Sequence, residues 1–190
     1  MADFNSLDEV ADAVSTCTKC DLCQSRTNAV PGIGNKESKV LFVGEAPGRS
    51  EDLRGRPFVG RAGQILTEAL EKAGVSRRDV YITNTVKCRP PKNRNPNKTE
   101  RESCKDYLDA ELRILKPHVI CILGNVALKS LLGDDKITSK RGNIIQKDDM
   151  LYFPTIHPAA VLYNPQLAHT LEQDIKKLFD IIQLNDGAVN

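Results

Sequence analysis

The sequence predicts an α/β protein, with a four-stranded, mainly parallel sheet covered by helices on both faces. Two observations carry this. Four short apolar runs (VLFVG from residue 40, VYITNTV over 80–86, VICILG over 119–124, LYFPTI over 151–156) read as strands, and they alternate with stretches of helical periodicity. The chain has 190 residues, 40% apolar and 27% charged, which suits one domain, residues 1–190, with a sizeable core.

The elements follow in order. Residues 6–16 form a predicted helix: Ser6 and Glu9 make a capping-box pattern, Phe4 can staple its start, and Leu7, Val10, Ala11 and Val14 recur on one face. The strand from residue 40 breaks at Gly and Pro into a loop. Residues 63–74 read as a helix stopped by Gly74. After the 80–86 strand comes a helix opened by Thr99 and Glu102 and closed before Pro117, with Cys104, Leu108, Leu112 and Leu115 on one face. A short helix is expected over 125–132 and a long one over 164–182, leaving a frayed tail at 183–190. In such sheets ligands bind at the carboxyl ends of the strands, so residues 44–58, 84–89, 124–125 and 157–163 are where a site is expected.

Composition excludes some classes. No apolar run approaches the roughly 18 residues of a membrane span. The start, MADFNSLDEVADAV, lacks a basic region followed by an apolar block, so no secretory leader is expected and the cytoplasm is the default compartment. The net charge of +2 does not by itself call for a polyanion. Its distribution says more: KCRPPKNRNPNK, residues 87–98, has five cations and no acid. It reads equally well as a solvated linker or as a loop that contacts phosphates.

Six cysteines in an intracellular chain point to free thiols or metal ligands. Cys17 and Cys20 form a CxxC pair, and Cys88 and Cys104 can complete a four-thiolate site. The spacing fits a structural zinc and an iron–sulfur cluster equally. Cys121, inside a strand, reads as core, and Cys23 as a thiol beside the site that could also replace a ligand.

The glycine-rich stretch VGEAPGRSED…GRPFVGRAG, residues 43–63, holds Glu45 and Glu51 but is not a nucleotide-binding fingerprint. Alone, Phe58 reads as core, Asn84 as a turn residue and His157 as a structural histidine. Together, CTKCDLCQSRTNAVPGIG (17–34), GEAPGRSEDLRGRPFVG (44–60), ITNTVKCRPPKNRNP (82–96), ICILGNVA (120–127) and IHPAAVLYNP (156–165) resemble the family 4 uracil-DNA glycosylases. The resemblance spans about residues 10–182. It implies an α/β/α sandwich, a 4Fe–4S cluster on Cys17, Cys20, Cys88 and Cys104, and hydrolytic removal of uracil from single- or double-stranded DNA.

The resemblance also implies roles. Phe58 stacks on an everted uracil, within a pocket that includes Gly44, Glu45 and Ala46. Asn84 pairs with the uracil O4 and N3–H edge, and Glu45 is a candidate wall against the thymine methyl. His157 donates to uracil O2. Ala46 stands where other uracil glycosylases carry an Asp, which leaves Glu51, with Glu45 nearby, to position water. Tyr163 stands where Arg is frequent. A monomer is expected, with sliding-clamp contact through either terminus as a further partner. Three rival readings are an electron-transfer protein, a zinc-stapled nucleic-acid-binding module, and a glycosylase for another base such as hypoxanthine.

Overall fold

The computed structural model describes residues 3–187. Six strands form one mixed sheet: β1 (Ile33–Gly34), β2 (Val40–Gly44), β3 (Tyr81–Asn84), β4 (Val119–Leu123), β5 (Ile145–Lys147) and β6 (Met150–Thr155), in the order β1-β3-β2-β4-β6-β5. The expected four-stranded sheet is corrected accordingly. β3, β2, β4 and β6 pair in parallel, while β1 and β5 add antiparallel edges. Those edges span two and three residues and bury none of them, so no periodicity announces them.

Nine helices lie among the described residues: α1 (Leu7–Ser15), α2 (Leu22–Ser25), α3 (Arg49–Arg54), α4 (Arg61–Lys72), α5 (Lys98–Leu115), α6 (Asn125–Leu132), α7 (Ile137–Lys140), α8 (Ala159–Tyr163) and α9 (Leu167–Gly187). Four of them, α2, α3, α7 and α8, have at most six residues and were not anticipated. The start of α5 also differs. Its cap is Asn97, whose side chain accepts from the Glu100 amide while Glu100 accepts from the Asn97 amide. Ser6 does cap α1, but Glu9 reaches back to the Asn5 amide and not to Ser6. α9 runs on through 187, so the tail expected to fray at 183 is helical for five more residues; 188–190 lie outside the described residues.

The pleat divides the core into two layers. Phe42, Ile82, Cys121 and Phe153 face Leu66 and Leu70 of α4 and Leu171, Ile175 and Leu178 of α9. Leu41, Val43, Tyr81, Ile120 and Ile122 face Leu108 and Leu115 of α5 and Leu128 of α6. Cys121 is fully buried between Phe42 and Phe153, its Cα partners on the flanking strands, as its strand position predicted. A sheet held on both faces presents its carboxyl ends as a fixed platform, and the candidate site is built there.

Candidate active site and thiol cavity

Asn84 ends β3, beside its Cα partner Gly44 at the end of β2. Gly124 follows β4, and His157 lies two residues beyond β6. Above these ends opens a cleft of about 590 Å³, lined by Glu45, Ala46, Glu51, Phe58, Asn84 and His157 among others. That volume falls in the range of small-ligand sites.

Close backbone approach makes the cleft. A side chain at Gly44 would overlap Asn84 Oδ1 and stand 2.6 Å from Phe58 Cζ, so the amide, the ring and the end of β2 pack against one another. Phe58 is held at φ 51, the left-handed region a phenylalanine seldom adopts. Gly63 permits this, since a Cβ there would collide with the Phe58 carbonyl. The Phe58 and His157 rings lie 5.7 Å apart, tilted by 30°. Gly124, at φ +88, brings β4 against His157, and a Cβ there would stand 2.9 Å from His157 Cβ. Phe58, Asn84 and His157, from three distant segments, therefore meet in one cavity.

Three polar features set the chemistry. Asn84 is 2% exposed, and its Oδ1 is the one buried side-chain polar atom among the described residues that has no hydrogen-bond partner. Such atoms are costly, and at a cleft floor they mark a place where a donor belongs. His157 Nδ1 accepts from the Ala159 amide at 3.1 Å, which leaves the ring proton on Nε2. Burial, opposed weakly by Glu51, pushes the His157 pKa down to about 4, so the ring is neutral near pH 7. Glu51 Oε1 accepts from the Val59 and Gly60 amides at 2.9 and 2.7 Å. That clamp fixes the Phe58 turn and leaves Oε2 outside these two bonds. Burial raises the Glu45 pKa, opposed by Arg101.

Of the five cations in the 87–98 loop, Lys87 is withdrawn from solvent, at 1% exposed. Its ammonium is paired with Glu111 at 2.6 Å. Arg94 forms a two-pronged pair with Glu100 at 2.8 and 2.6 Å, and Arg89 donates to Asn93. Pro90, Asn93, Arg94 and Asn95 instead form one wall of the cleft. The pairing of Lys87 with Glu111 is not evident from the loop's composition, where charge reads as exposed. The signal was present: Glu111 falls on the same α5 face as Cys104, Leu108 and Leu115, where an acid needs a buried partner.

A second, smaller cavity is lined by Cys17, Cys20, Cys23, Cys88 and Cys104, beneath Tyr107 and Arg26. Burial raises the Cys20 and Cys88 thiols and pushes Cys104 up to about 11. Donors already face the sulfurs: Arg26 Nη1 lies 3.0 Å from Cys88 Sγ, and the Lys19 and Lys87 amides lie 3.5 Å from Cys17 and Cys104 Sγ. Among the described residues, no three His, Cys, Asp or Glu side chains converge as a ready chelate for one ion.

Residues 31–181 match the family model described as uracil DNA glycosylase superfamily. Three similar relatives are each named type-4 uracil-DNA glycosylase. The protein from Archaeoglobus fulgidus is 45% identical, over 94% of each chain. That from Pyrobaculum aerophilum is 47% identical, over 91% of this chain and 93% of its own. That from Thermotoga maritima is 45% identical, over 92% of this chain and 93% of its own. The chain belongs to the uracil DNA glycosylase superfamily, in its type-4 branch.

Proposed function

We propose that this protein removes uracil from DNA, hydrolysing the N-glycosidic bond of a base turned out of the strand and leaving an abasic site for repair. One observation carries the reading: the unpartnered, buried Asn84 Oδ1 at the cleft floor, beside the Phe58 ring and within reach of the same cavity as His157. A base inside the duplex stack cannot be attacked, so it must be everted into such a pocket.

Three tasks fall to this chain's residues. Phe58 stacks on the base, while Asn84 Oδ1 accepts from uracil N3–H and its amide donates to O4. Cytosine presents a donor where uracil has O4 and leaves the amide unpaired, a strong ground for rejection. Glu45 closes the side where thymine carries its methyl. As the bond breaks, negative charge grows on the leaving base, and His157 Nε2–H stabilises it at O2, where a neutral donor acts without prior reorganisation. Glu51 Oε2 orients the water that meets the sugar cation. Gly44 and Ala46 keep the floor and the motif loop free of bulk.

The thiol cavity suits a 4Fe–4S cluster on Cys17, Cys20, Cys88 and Cys104. A tetrahedral zinc needs all its sulfurs about 2.3 Å from one centre, whereas a polynuclear group takes each thiolate on a separate metal and accepts a wider ring. The N–H donors aimed at sulfur fit thiolates of either kind. When bound, such a group supplies a tie between chain segments, since hydrolysis transfers no electrons. In the same reading the protein works inside the cell as a monomer; sedimentation and clamp pull-down test that and the sliding-clamp contact. Among the described residues no helix is long and apolar enough to cross a membrane.

The test is abasic-site formation in oligonucleotides carrying U:G, U:A, single-stranded U, T:G or hypoxanthine. Uracil substrates should be cut and T:G spared; a protein that cuts only hypoxanthine, or nothing, contradicts the reading.

A further inference from the structure

We infer that the buried Lys87–Glu111 pair is a positioning device that sets the Asn84 amide from beneath and joins the base cleft to the thiol cavity. The inference rests on the reading of Asn84 given above. Both side chains are 1% exposed. An ion pair so deep is poorly explained by stability, because apolar replacements of similar volume are often neutral or stabilising. Its geometry points elsewhere. The three donors of the Lys87 ammonium meet three acceptors: Thr83 Oγ1 at 2.5 Å, the Asn84 carbonyl at 2.9 Å and Glu111 Oε2 at 2.6 Å. Glu111 Oε1 accepts from the Thr83 hydroxyl and the Gly32 amide, both at 3.2 Å. The pair therefore grips the last two residues of β3, just where the chain leaves the sheet.

Asn84 needs that grip, because its own Oδ1 has no partner to orient it. The same lysine reaches the other site through its backbone. Its amide faces Cys104 Sγ at 3.5 Å, its neighbour is Cys88, and its carbonyl accepts from the Val30 amide at 2.7 Å. One residue thus ties the uracil reader, two thiols and the 27–32 loop together. An error of about 1 Å in a reactive group costs about 100-fold in rate, so a support this direct is a determinant of both rate and base choice.

The test is the double variant K87M/E111L, purified as the parent is, with iron content, visible absorption, thermal unfolding and single-turnover excision measured side by side. Parental excision of uracil checks the glycosylase reading by itself. If the pair positions Asn84, the folded, iron-loaded variant loses about 10- to 100-fold in single-turnover rate. Its uracil-over-cytosine preference also narrows, while its affinity for an abasic oligonucleotide stays parental. Parental rate and preference in that variant would overturn the inference. Should the double variant not fold, T83V removes one hydroxyl of the network and leaves the charges paired. A several-fold loss of rate with narrowed preference supports the inference, and an unchanged rate overturns it.

Discussion

Burial sets the protonation state of His157. Its pKa lies near 4, below the ordinary 6.5. Between those values an unfolded chain takes up a proton that the folded one refuses. The stability held at this site is therefore full above about pH 6.5 and declines as the pH falls towards 4. The neutral Nε2 donor persists through the same window. Single-turnover excision is accordingly expected to show no inflection near pH 6.5 from His157; one that disappears in H157A would contradict this assignment. H157A should lower that rate by about 100- to 1,000-fold, the scale of a lost oxyanion-type donor, with DNA affinity little changed; a pure affinity loss would assign His157 to DNA binding. At this scale the motif residues were legible through the family resemblance: Phe58, in the turn between α3 and α4, and Asn84 and His157, near strand ends, were read together and line one cleft. Lys87 was not, because a lysine among prolines and asparagines looks solvated until Glu111, 24 residues away, is folded onto it. The glycine contacts were equally hidden, since what Gly63 and Gly124 spare depends on partners elsewhere in the fold.

At the scale of elements, the thiol cavity joins three segments: the turn between α1 and α2, the exit from β3, and the buried face of α5. A metal group bound there, as proposed, would stabilise the fold by closing long loops, and its loss would be felt as stability. C104A is expected to lose iron and sulfide and to melt at a lower temperature, measured by metal analysis and thermal unfolding. Full iron content would mean that Cys23, which lines the same cavity, completes the ligand set. C121A, in the opposite core layer, should keep its iron and lose only packing. β2 and β4 were foreseen within a few residues because they are continuous apolar runs, and α4 and α5 because their apolar faces are periodic. Capping was misplaced at α5, where Asn97 and Glu100 compete with the Thr99 and Glu102 pattern two residues later and win, since Glu100 is also held by Arg94.

For the whole molecule, the sheet order puts the four parallel strand ends side by side, and the cleft follows from that order. The parallel core was visible in the alternation of strands and helices. The mixed edges were not, because two- and three-residue strands carry no pattern of their own. At the cleft mouth α8 ends in Tyr163, 90% exposed and the most exposed large apolar residue among those described. An aromatic face there can stack against the bases next to an everted nucleotide. Y163A should therefore slow excision from duplex U:A more than from single-stranded uracil, read as a ratio of single-turnover rates; equal slowing on both would remove it from duplex opening. In the proposed function the cleft recognises uracil through a single amide, that of Asn84. The most direct test of this is single-turnover base release by N84D on matched uracil and cytosine oligonucleotides. We expect uracil release to fall by about 100-fold, with cytosine release gaining on it as the pH is lowered and the new carboxyl becomes protonated. Parental uracil release by a folded N84D protein would contradict the account.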